Sequence, residues 1–256
     1  MPAHQALIIN GEDRSDEEFY SFSNHHAFGA RFRSSVLSLY RFKTYLLRQQ
    51  IAAGIWTDQK LVDKQKELVK LESLDHRAGE PRDQGAAIER FWQGWRRHYG
   101  DSGLVNPRGD RLLTELALRS LKELRPVLLM IHYNDPDYVH WGNPSHYSRA
   151  IAVIDDGLRQ LVGAVEADPE YRGNTIFVVV PDCGRDSNPL MAVPYQHHFN
   201  SRSAHEIFAL FYGPGIGRGK MIDRRVEQIS VAATVGRLMG FPTGFAEGPA
   251  LPEVFL

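Results

Sequence analysis

Residues 174–198 read NTIFVVVPDCGRDSNPLMAVPYQHH. Thr175 to Val180 is a continuous apolar run rich in β-branched side chains. That pattern predicts a strand buried on both faces, as in a parallel sheet with helices above and below it. The run halts at Pro181, then Asp182 follows, then Gly184. An acid at the carboxyl end of a buried strand, with a glycine that frees the backbone to turn, marks where open α/β sheets place ligand chemistry. The loop ends at His197 and His198. One carboxylate and two imidazoles near a strand mouth are ligands suited to a divalent metal.

Working upstream, Pro126 opens a second buried strand, VLLMIHYN, followed by the polar loop DPDYVHWGNPS. That loop carries Asp135, Asp137 and His140. If the two strands are parallel neighbours, both loops open on one edge of the sheet. Asp137 and His140 then meet His197 or His198 around one ion, with Asp182 beside them. Each residue has a plainer role when taken singly. Asp182 suits a helix cap or turn, Asp137 a turn within DPD, and His140 a backbone hydrogen bond. Their shared position, on loops after apolar strands and outside any helical stripe, favours a site. His132 and His205 lie in or beside strands and are expected to be structural. His25 and His26 sit in an aromatic loop without an assigned partner.

Residues 145–166 carry apolar side chains at helical spacing, and a strand over 206–212 and a helix over 226–239 follow. Before residue 126 the chain is expected to be mainly helical: 34–53 starting at Ser34 or Ser35, then 58–74, 86–98 and 111–124. QALIIN at 5–10 is a short apolar run, either strand or helix tail. The expected organisation is a helical portion over 1–125 packing on an α/β portion over 126–256, in a single structural domain. Phe91, Trp92 and Trp95 with Arg96 and Arg97 suggest either a stacking platform or a helix packing its rings on the sheet. The second fits the apolar spacing better.

Composition narrows the function classes. The chain has 256 residues, 43% of them hydrophobic, and a net charge of -1. Charge so near neutral gives no electrostatic case for nucleic acid or an anionic membrane surface. No apolar run approaches the roughly 20 residues of a membrane span. The first residues lack the features of a signal peptide, so the chain as written is expected in the cytoplasm. A start upstream of Met1 changes that expectation to periplasmic or secreted. The single cysteine, Cys183, excludes an internal disulfide.

Over residues 126–245 the sequence resembles the carboxyl-terminal half of the alkaline phosphatase superfamily, which includes sulfatases and phosphodiesterases. The resemblance rests on Asp137 to His140 with Gly142, on Tyr147, Ile151 and Asp155, and then on TIFVVVPD, QHH, IFALFYGPGI and QISVAATVGRLMGF in that order. It implies a mostly parallel sheet sandwiched by helices. It also implies metal-dependent hydrolysis of phosphate or sulfate esters, with zinc, manganese or calcium as cofactor and a small anionic ester as substrate. One ion would be held by Asp137, His140 and either His197 or His198, and the other in part by Asp182. Arg185 would meet an anionic ester oxygen.

The match has departures. The family's Asp-to-His loop has three intervening residues, whereas Asp137 to His140 has two and Asp135 to His140 has four. Cys183 stands where the family places a second-ion histidine. The nucleophile is not evident. Either QALIINGED is the first strand, with Asp13 as ligand and Ser34, Ser35 or Ser38 as nucleophile, or the first strand and nucleophile lie outside this chain. The alternative to a hydrolase is a non-catalytic α/β domain retained for binding or assembly.

Overall fold

The computed structural model describes residues 6–11, 34–73, 85–103, 109–141, 143–186, 190, 195–197, 201–244 and 246–255. The chain divides into two compact units. One comprises Met1–Val139 with Asn143–Val162, and the other His140–Gly142 with Gly163–Leu256.

The first unit is built on strand β1 (Ala6–Asn10), flanked in parallel by β2 (Ser35–Leu37) and β3 (Leu128–His132), in the order β2-β1-β3. Leu7 and Ile9 on one face of β1, and Ile8 on the other, are all buried. That fits a central strand covered on both sides. Ile8 lies opposite Val36, and Asn10 opposite His132. The apolar run at 5–10 is therefore a strand, and β1 and β2 share a sheet with β3. Val36 and Leu37, expected within a helix, instead extend β2. Helix α1 (Leu39–Ala52) starts after them, where the Ser38 hydroxyl accepts a hydrogen bond from the Arg41 amide at 3.2 Å.

Helices α2 (Asp58–Ser73), α3 (Ala86–Tyr99) and α4 (Asp110–Glu123) follow. Arg48 of α1 ties to Glu72 of α2 at 2.8 Å and to Glu89 of α3 at 3.4 Å. The apolar stripe expected on α2 is only partly covered, since Val62 and Val69 remain exposed. The rings of α3 are core. Phe91, Trp92 and Trp95 are buried, with Trp92 and Trp95 edge to face at 6.4 Å between centroids. Trp95 also donates its indole N–H to the Gly103 carbonyl. Buried rings in this arrangement supply packing rather than an exposed stacking platform.

A single 3-10 turn (Asp137–Trp141) leads to the long helix α5 (Pro144–Ala167). In the second unit, β4 (Phe177–Val179) pairs antiparallel with β5 (Leu210–Tyr212). The two strands expected to be parallel neighbours, β3 and β4, therefore belong to different sheets. Among the described residues β4 pairs with β5 alone, and it is half-buried rather than buried on both faces. Helix α6 (Arg202–His205) precedes β5, and α7 (Ser230–Leu238) follows it. A small core of Ile216, Leu251 and Val254 gathers Phe211, Leu238 and Phe255 around it. The chain is thus an α/β protein with a three-stranded parallel sheet. Among the described residues, no helix is long and apolar enough to cross a membrane.

Candidate metal centre

The site begins at Asp110, the first residue of α4. Its side chain is buried, and its two carboxylate oxygens accept from the Asn134 amide at 2.7 Å and the Asp135 amide at 2.9 Å. Asp135 in turn accepts from the Asp110 amide at 3.2 Å. This reciprocal clasp fixes the end of β3 where the chain enters the Asp137–Trp141 turn. Burial pushes the Asp110 carboxyl up to about 6, although the two amide hydrogen bonds oppose that shift. Thr114 and Tyr133 add a hydroxyl-to-hydroxyl contact of 2.9 Å beside it. Asp135 is thereby committed to α4, which leaves Asp137 as the acid presented on the turn.

Asp137 and His140 sit at the two ends of one helical step of that turn. His140 and His197 approach through their Nε2 atoms, 3.2 Å apart. The ligand atoms of Asp137, His140 and His197 all lie within 4.8 Å of one another. Gln196 orients His140. Its Oε1 lies 3.0 Å from His140 Nδ1, and its Nε2 donates to the His140 carbonyl at 2.7 Å. An amide oxygen can only accept, so this contact places the proton on Nδ1 and leaves the Nε2 lone pair directed at His197. A hydrogen-bonded ring nitrogen opposite the ligating one is the arrangement that orients metal-binding histidines. Two imidazoles sharing a zinc ion stand about 3.3 Å apart, given Zn–N bonds of about 2.0–2.1 Å at tetrahedral angles. The donor set, and the spacing of its two imidazoles, therefore fit a divalent metal.

Arg185 lies against His140. Its Nη1 lies 3.1 Å from His140 Nδ1 and 3.2 Å from His140 Nε2, and it donates to the Tyr195 carbonyl at 3.1 Å. Arg185 thus touches His140 and ties it to the 195–197 segment.

Asp182 does not join the three-residue group. It is exposed, and its carboxylate accepts from the Cys183 amide at 2.8 Å. Gly184 donates its amide to the Ala204 carbonyl at 2.8 Å, and any side chain there would collide with the Ser203 carbonyl. Close backbone approach, rather than a left-handed turn, requires that glycine. Ser35 is buried in β2 and Ser38 caps α1. His132 pairs with Asn10, and His205 Nδ1 contacts the Ser201 carbonyl, both within their own units. His198, Asp13 and Gly142 lie outside the described residues.

Asp110 and Gln196 were not anticipated from sequence. Asp110 begins an amphipathic helix, where an acid is ordinary. Gln196 adjoins the paired histidines and carried no ligand signal of its own. No protein-family model, curated protein or solved structure matches the chain.

Proposed function

We propose that this chain binds one divalent metal ion through Asp137, His140 and His197 and acts as a metal-dependent hydrolase of small phosphate or sulfate esters, with an alkaline phosphatase-like arrangement of helices about a mostly parallel sheet. The observation that carries the proposal is the convergence of those three ligand groups within 4.8 Å. Imidazole with carboxylate favours zinc, with manganese second. When bound, such an ion polarises an ester oxygen and makes bound water more acidic. The chain's own residues supply the setting. Gln196 holds the proton on Nδ1 of His140, Arg185 braces its ring, and Asp110 anchors the strand end that leads to Asp137.

One observation favours a second reading, a non-catalytic metal-binding domain. Asp182, the acid that would serve a second ion, faces solvent and bonds to its neighbour's amide. Metal content of the purified protein, together with hydrolysis of p-nitrophenyl phosphate and p-nitrophenyl sulfate, separates the two. About one zinc per chain, with turnover lost in Asp137→Ala and in His140→Ala, supports the hydrolase. Stoichiometric zinc without turnover supports the binding domain. A wild-type chain that takes up no metal removes both.

A further inference from the structure

The first unit contains a cavity of about 320 Å³ between the start of α4, the Asp137–Trp141 turn and the amino-terminal part of α5. Arg111, His146 and Arg149 supply its basic wall and Asp135 its acidic one. Tyr138 and Val153 add apolar surface. Arg48, Arg96, Arg119 and Arg159 are each paired with a carboxylate. Arg111 and Arg149 make no ion pair or hydrogen bond with a described residue. The carboxylate that acts on Arg111 from a distance, Asp156, is already bonded to Arg159 and Gln160. Asp135, on the opposite wall, accepts from the Asp110 amide through one carboxylate oxygen.

Two guanidinium groups without an ion pair line one concavity, and their planar forks suit carboxylate or phosphate oxygens. The Asp135 side chain offers acceptor oxygens to the same cavity, which a hydroxyl on the ligand can meet. The volume lies at the small end of ligand sites. We infer that this cavity is a binding site for a small organic oxyanion, phosphorylated or carboxylated, that also bears a hydroxyl group. The inference stands apart from the metal centre, because none of Asp137, His140 and His197 lines this cavity.

Isothermal titration of the full chain, in EDTA and at physiological ionic strength, tests it with glycerol 3-phosphate, glycerate and uncharged glycerol. One or both anions bind and glycerol does not, and the anion that binds identifies the head group. Arg111→Gln and Arg149→Gln, both at exposed positions where folding is not at stake, each weaken that binding by about tenfold or more. His197→Ala binds as the wild type does. Anion heats no larger than those of glycerol overturn the site. So do arginine variants that bind like the wild type, or loss of binding in His197→Ala.

Discussion

At the scale of single residues, the proposed metal centre draws on a side chain outside its ligand set. Gln196 accepts from His140 Nδ1 and donates to the His140 carbonyl. Gln196→Leu keeps similar bulk but removes both bonds. Zinc affinity is expected to fall by about 10- to 100-fold while secondary structure is retained, as read by competition with a chromophoric chelator. Unchanged affinity would mean that Gln196 does not orient the ring. Asp110 gives a prediction about pH. Its folded value, about 6, lies above the ordinary carboxyl value of 3.8. Folding therefore favours the protonated acid. The stability this group contributes is complete below pH 3.8 and is lost as pH rises through 6. The difference corresponds to about 3 kcal/mol. Urea titrations of the metal-free protein from pH 4 to 7 should show that decline, and Asp110→Asn should flatten it. The variant should also be less stable throughout, because the asparagine amide faces a backbone N–H that the carboxylate had satisfied. A wild-type profile with the same slope as the variant contradicts the assignment.

At the scale of elements, the places where sequence and structure part company have physical causes. The long periodic helices were legible because their apolar spacing repeats over several turns: α3, α4 and α5 lie within a residue or two of their expected limits. Ser35–Leu37 was not legible, because a three-residue strand carries no period of its own. It is fixed by the register of Val36 against Ile8. Ser38 then ends the strand and caps the helix. Ser38→Ala is expected to cost about 1 kcal/mol in thermal unfolding, whereas Ser34→Ala, at a position outside the helix, costs less. Equal losses would remove the capping role. The apolar run at 175–180 identified a strand but not its partner. Hydrophobicity reports burial, and pairing depends on residues distant in the chain. The site was legible in its ligand types, Asp137, His140 and His197. Its scaffold was not, since a buried acid such as Asp110 and an orienting amide such as Gln196 acquire meaning only from their partners.

At the scale of the molecule, the two units bury very different cores. The first buries Phe42, Phe91, Trp92 and Trp95, and also the apolar residues of β1 and β2. The second has a cluster centred on Ile216, Leu251 and Val254 beside a two-stranded sheet. Metal binding couples to folding, so a bound ion adds to the stability of the unit that holds its ligands. His140 and His197, two of the three proposed ligands, belong to the second unit, so stabilisation by metal should be visible there. Zinc at about 100 times its dissociation constant should contribute about 2.7 kcal/mol, less any affinity of the unfolded chain for zinc. Hydrogen exchange resolves where this acts. Amides of β4 and β5 should exchange more slowly with zinc present, and EDTA should reverse the change. His197→Ala should abolish the effect while leaving exchange in α3 as it is in the wild type. Zinc protection that is uniform along the chain, or that survives in His197→Ala, places the ion elsewhere.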